Sequence, residues 1–374
     1  MFQDLKVLEL ASVLAGPSVG QFFAELGADV IKIENLKTGG DVTRTWKSRT
    51  ENTDDRSAYF CSVNWGKRSV AIDLEKKEGR DIVHRLAQRS DIVIASYKPG
   101  DAEKLQVDYR SLAGLNENII YGQVTGYGSR NARVGYDAIV QAEAGFMYMN
   151  GEPGGASIKM PVALIDVLAA HHLKEALLLA LLNRHKTGKG SMVEVSLLDA
   201  GVSSLVNQAT NWLIGGVLPE KQGSSHPNIA PYGDTFVTAD DKEILLAIGS
   251  DKQFQELCAL LELAEIANAA EYINNRARVV NRTELNLILQ EKIGIHSSAG
   301  FILECQKRNI PAGIIQNMQE VFAMPEVNDL VISSAGLKGL KNFVGRGLPW
   351  SSASMLPPPH FGEHTLDILK ELTL

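Results

Sequence analysis

Between Ile158 and Ala170 the chain reads IKMPVALIDVLAA, and after Lys159 the only charged side chain in that run is Asp166. An ionised carboxylate in apolar surroundings is costly without a partner, so its presence needs a reason. One reason is structural: Asp is favoured as a helix N-cap, where it accepts from orphan backbone N–H groups. The other is chemical: a carboxylate at a strand end, kept ionised by the dipole of the following helix, is a nucleophile. Both readings expect a strand-like stretch that gives way near Asp166 to an apolar helix over 167–185. A second group is Asn64-Trp-Gly-Lys-Arg-Ser-Val70, where two adjacent cations lead into a strand. It fits a solvated strand start or a phosphate clamp for an adenine-nucleotide-like ligand. Lys98 and Lys104, in a loop after another strand, would add to the same positive pocket.

These groups have to be held by regular elements, and the first 125 residues supply them. Strands are expected at 6–10, 29–33, 69–74, 91–95 and 119–124, with helices at 18–26 and 76–88 among them. Such alternation means βαβ units and a parallel sheet, whose ligands bind beyond the carboxyl ends of the strands. A helix over 137–149, a strand over 193–198 and a helix from Asp199 continue the pattern. Lys186-Thr-Gly-Lys-Gly190 reads as the stop of the 167–185 helix. After about residue 215 the character changes to a hairpin over 235–248 and helices near 254–263, 284–293 and 299–308. The tail over 336–359 is loop-rich and precedes a closing helix at 364–372.

Composition narrows the function. A hydrophobic fraction of 45% with 22% charged residues is that of a globular protein. A net charge of -7 argues against non-specific nucleic-acid binding. The acidic N-terminus and the short apolar helix around Leu173–Leu182 argue against a membrane span, so the cytoplasm is the expected location. Cys61, Cys258 and Cys305 have no paired spacing and read as buried free thiols. The eight histidines show no metal-ligand spacing, so no metal is expected. The first turn, Ala15-Gly-Pro-Ser-Val-Gly20, lacks the dinucleotide glycine fingerprint, which leaves Glu34 a weak candidate for a ribose-binding acid.

Further stretches are Leu26-Gly-Ala-Asp-Val-Ile-Lys-Ile-Glu34, Gly40-Asp41 with Arg44, Lys67-Arg-Ser69, Gly135-Tyr-Asp137, Gln141-Ala142 and Gly362-Glu-His-Thr365. With Asp166 and Thr187-Gly-Lys-Gly190, their order over nearly the whole chain resembles the class III CoA-transferase family. That family includes formyl-CoA and carnitine CoA-transferases and the related α-methylacyl-CoA racemases. The resemblance implies an α/β fold: a large domain with a Rossmann-like parallel sheet, a smaller α+β domain, and an interlocked homodimer. Residues 1–214, completed by 326–374, would form the large CoA-binding domain and 215–325 the small one. It implies that Asp166 is the nucleophile of CoA transfer, with Asp137 and Tyr136 as helpers. It also implies acyl-CoA and a small carboxylic acid as substrates, with no permanently bound cofactor. CoA contacts would come from Leu14, Ala15, Ile72, Asp73, Leu74, Glu75, Ser96, Tyr97, Lys98 and Lys104. Two positions depart from the family pattern: Asn35 replaces a frequent basic residue, and Lys104 a frequent arginine. Lysine keeps the charge but loses the bidentate fork. The alternatives are an α-methylacyl-CoA racemase and a non-catalytic CoA-binding protein. The racemase histidine would fall at Tyr136, and a tyrosine, with an ordinary pKa near 10, is a poor base at neutral pH. A glycine-rich lid has only Gly215-Gly216 and Gly223-Ser-Ser225 as candidates.

Overall fold

Short apolar runs separated by helices become strands buried on both faces, and here they assemble into one parallel sheet. The structure is a computed structural model and describes residues 1–347 and 355–373. The strands are β1 (Lys6–Leu10), β2 (Asp29–Asn35), β3 (Lys67–Ile72), β4 (Ile92–Ala95), β5 (Ile120–Thr125) and β6 (Ser191–Ser196). They run in the order β3-β2-β1-β4-β5-β6, all parallel. The order reverses between β1 and β4, where such sheets open a crevice at their carboxyl edge.

The principal helices here are α1 (Ala15–Glu25), α2 (Lys77–Gln88), α3 (Asp137–Glu143), α4 (Leu164–Thr187) and α5 (Leu197–Ser203). Alternation along β1 sends Leu8 and Leu10 into a core shared with Val83, Leu86 and Ala87 of α2. The opposite face carries Glu9 toward α1, an eleven-residue helix buried along its whole length. Pro17 is tolerated there because it lies in the first turn, where an amide has no helical acceptor. Helix α4 packs on α1, and its buried stripe includes Asp166, Ala170 and Lys174 at intervals of four. It ends at Gly188, whose φ of 70° gives the left-handed C-cap expected from the Thr-Gly-Lys-Gly run.

The chain divides into two compact units: residues 1–145, 160–206 and 328–374 form one, and 146–159 with 207–327 the other. The segment Phe146–Lys159, left with the large domain by the sequence reading, thus groups with the second unit. That unit holds an antiparallel sheet, β7 (Tyr232–Val237), β8 (Glu243–Ala247) and β9 (Ala312–Ile314). Its core joins Phe236, Ile244 and Leu246 to Phe254, Leu285 and Phe301. The last three lie on α6 (Asp251–Leu260), α7 (Arg282–Ile293) and α8 (Ser298–Lys307).

In the first unit, residues 328–374 add a hairpin of β10 (Val331–Ser334) and β11 (Leu337–Leu340), the second strand falling in the stretch expected to be loop-rich, and α9 (Thr365–Thr373). Residues 348–354 of the expected loop-rich tail lie outside the described residues. The tail motif pins the edge strand β3: the Ala71 amide donates to Thr365 Oγ1 at 3.0 Å, and the Gly362 amide to Ser69 Oγ at 2.8 Å. An edge covered in this way cannot template another chain.

Two expected elements differ. Residues 158–163 form no strand; Ile158, Met160 and Val162 are exposed, so the apolar run there is not a buried one. The expected 137–149 helix breaks at Gly145, which takes a φ of 88° that a right-handed helix cannot hold.

Candidate active site

Asp166 is the third residue of α4, not its cap. The N-cap position falls on Ala163, which offers no side-chain acceptor. The cap is supplied from α3: Asp137 Oδ1 accepts from the Ile165 amide at 2.8 Å, across 28 residues of sequence. The other Asp137 oxygen accepts from Gln141 Nε2 at 2.7 Å. The Asp166 carboxylate is 9% exposed and has no hydrogen-bond donor among the described residues. Burial, with the charge of Asp137 added, pushes its pKa up to about 7. Desolvation thus opposes the first-turn dipole that was expected to keep Asp166 ionised.

Two aromatic residues that sequence reasoning missed stand nearby. Tyr59, half-buried on the short helix Ala58–Cys61, has its phenol pKa raised by burial and by the charges of Asp166, Asp137 and Asp41. Trp46 packs edge-on against it at 5.1 Å between ring centroids. Neither sits in a local pattern that marks it. Tyr136 precedes α3 and is 63% exposed, with no capping bond from its side chain.

A cleft of about 580 Å³ opens at the carboxyl edge of the sheet. Of the expected CoA contacts, Ile72, Asp73, Leu74, Glu75 and Tyr97 line it, beside Asn35 and Asp41. Lys104 lines an adjoining recess with Arg80, Tyr97 and Glu75. Leu14, Ala15, Ser96 and Lys98 are not among the lining residues. Leu14 and the buried Ala15 form the start of α1, and Ser96 Oγ accepts from the Ser12 amide at 3.2 Å, tying the β1 and β4 loops together. Most cations around the cleft are already engaged: Lys37 pairs with Glu75 and Asp73, and Lys104 with Asp101. Lys98 is exposed and makes no ion pair among the described residues.

The Lys67-Arg68 clamp is a correction. Lys67 is the first residue of β3 and fully buried, with Nζ 2.8 Å from Glu9 Oε2 and 2.8 Å from Pro17 O. Arg68 pairs with Asp29 and Glu371. A cation spent on buried carboxylates is not available to a phosphate. The register places Lys32 opposite Glu9, and Lys32 Nζ reaches both Glu9 at 2.9 Å and Asp41 at 3.0 Å. Glu34 is occupied as well: Arg44 grips it bidentately at 2.8 and 2.6 Å, and Ser69 Oγ and the Asp41 amide donate to it. With its oxygens filled, Glu34 cannot take a ribose, which removes the dinucleotide reading.

All three cysteines are buried free thiols, as expected from their spacing. Asp54 and Asp55 meet the distant His360 at the surface, but Asp54 pairs with Arg56 and Asp55 with Arg44 and His360. Among the described residues no helix is long and apolar enough to cross a membrane.

Sheet order, cleft and acidic pair define an α/β protein built like a solved CAIB/BAIF family protein from Brucella suis. The two share a TM-score of 0.86 and 37% identity, with 98% of each chain covered. The chain belongs to CoA-transferase family III, whose pattern it matches over residues 2–365. It is 36% identical over 386 residues to a succinate–glutarate CoA-transferase of Agrobacterium fabrum, covering 98% of this chain and 94% of the relative. It is 34% identical to the succinyl-CoA:glutarate CoA-transferase of Homo sapiens, covering 99% of this chain and 85% of the relative.

Proposed function

We propose that this enzyme transfers CoA from an acyl-CoA to a short dicarboxylic acid, with Asp166 as the nucleophile. The observation that carries the reading is the state of Asp166: a buried carboxylate with no hydrogen-bond donor of its own, beside a second acid. A carboxylate committed to structure would be paired or hydrogen-bonded. One that is desolvated and unpaired keeps its lone pairs for an electrophile. The dicarboxylate class rests on the two relatives above, which are named for succinate or succinyl-CoA and glutarate.

The steps balance without water, metal or redox partner. Asp166 attacks the thioester carbonyl, the C–S bond breaks, and CoA leaves as thiolate from a mixed anhydride. The thiolate then attacks the aspartyl carbonyl, which frees the donor acid and leaves an aspartyl-CoA thioester. An acceptor carboxylate attacks that carbonyl, giving a second anhydride and thiolate again. Attack of thiolate on the acceptor's acyl carbon releases the new acyl-CoA and restores Asp166. Each step needs a donor for the tetrahedral oxyanion. The Asp166 amide has no acceptor among the described residues, while its neighbours at Leu164, Ile165 and Val167 are satisfied, so it is suited to that task. CoA would lie along the cleft at Ile72–Glu75 and Tyr97, with Lys98 and Lys104 toward its phosphates. The enzyme would act as an interlocked homodimer, which sedimentation at nanomolar concentration tests.

The function is tested with succinyl-CoA and hydroxylamine, which traps acylated aspartate as a hydroxamate. The expected result is modification of Asp166 in wild type and loss of glutarate-dependent turnover in Asp166→Asn. Turnover with an unmodified Asp166 would refute the nucleophile. Exchange of an α-proton with deuterated water in the absence of acceptor would refute transfer in favour of racemisation.

A further inference from the structure

The reaction proposed for Asp166 leaves unexplained a fully buried glutamine between the neighbouring acid Asp137 and the chain that precedes α4. Gln141 is 0% exposed. Its Nε2 donates to Asp137 Oδ2 at 2.7 Å and to Val162 O at 3.3 Å, and its Oε1 accepts from the Met160 amide at 2.9 Å. Asp137 in turn accepts from the Ile165 amide at 2.8 Å, one residue before Asp166. One carboxamide thus grips α3's acid and the strap leading into α4 together.

We propose that Gln141 is a positioning residue that fixes Asp137 and the first turn of α4 as one rigid unit, setting where the Asp166 carboxylate meets its substrate and its neighbouring charge. This rests on Asp166 being the nucleophile. Both oxygens of Asp137 accept hydrogen bonds, which fixes where that acid stands beside Asp166. The titratable groups facing Asp166 are Asp137 of α3 and Tyr59 of the short helix Ala58–Cys61. The acids of the other helices packed on α4 are turned elsewhere: Glu25 of α1 faces Lys174, and Asp199 of α5 accepts from Ser196 Oγ.

The experiment measures hydroxamate formation at Asp166 against pH for wild type and Gln141→Met, which keeps the volume and removes every polar contact. For the folded variant, labelling at saturation should slow about tenfold with KM for succinyl-CoA within about twofold, as expected when orientation rather than binding is lost. The labelling midpoint should move to lower pH, because a loosened Asp137 no longer presses its charge on Asp166. The double variant Asp137→Asn with Gln141→Glu exchanges donor and acceptor roles while keeping the 137–141 contact and the bonds to the Met160 and Ile165 amides. It should recover most of the rate lost in Gln141→Met, and it serves if Gln141→Met does not fold. Labelling of Gln141→Met at the wild-type rate and midpoint would overturn the inference, as would a double variant that folds yet recovers nothing. Absence of the label in wild type would instead overturn the nucleophile assignment itself.

Discussion

Replacing Asp166 by Asn should make the protein more stable, by a margin that grows as pH rises above about 4 and is complete above about pH 7. The carboxyl has its pKa raised from an ordinary 3.8 to about 7, chiefly by burial. Below about pH 4 it is protonated in both folded and unfolded chains, so it costs nothing there. Between those values the unfolded chain releases the proton and the folded one keeps it, so stability falls as pH rises, and the loss is complete above pH 7. About three pH units at 1.36 kcal/mol each give a penalty of about 4 kcal/mol at pH 8. Asparagine carries no such penalty, and because Asp166 has no donor to lose, the substitution orphans no hydrogen bond. For a unit of about 150–250 residues each kcal/mol moves the thermal midpoint by about 2–4 °C, so the variant should melt about 8–16 °C above wild type at pH 8. The assay is paired thermal and urea unfolding of unliganded wild type and Asp166→Asn from pH 5 to 8.5. The gap between them should widen with pH and level off above 7. Parallel curves would refute the claim that Asp166 sits desolvated in the folded enzyme.

Other substitutions probe the frame that holds the site. Glu9→Gln withdraws the carboxylate that Lys32 and Lys67 share inside the sheet, and urea unfolding should show a loss of about 3–5 kcal/mol. Gly20→Ala would drive a Cβ into Glu9 Oε2, a contact that must displace the same buried cluster, so the folded yield and unfolding midpoint should both drop. Asp137→Asn keeps an oxygen for the Ile165 amide but removes a negative charge beside Asp166; the pH midpoint of Asp166 labelling should fall below that of wild type.

The parallel sheet was legible in the sequence because β1, β2, β4 and β5 are short apolar runs spaced by helices, a pattern that local periodicity carries by itself. The start of β3 was not. Lys67 and Arg68 look like a solvated or ligand-binding pair, and only the register that brings Glu9 and Lys32 alongside turns Lys67 into a core residue. Buried ion clusters are illegible in general for that reason: each charge is costly alone, and the partners that offset it lie on other strands. Asp166 shows the same limit from the other side. Its isolation in an apolar run was visible, and so was the choice between cap and nucleophile. What removes the cap reading is that another residue, Asp137, already fills the capping role. A helix start needs its orphan amides satisfied once, and when a distant acid does it, the acid inside the helix is left over. Asp166, the residue left over, is buried without a donor, and such a cost is the kind a fold keeps at a functional group, which is the role proposed for it.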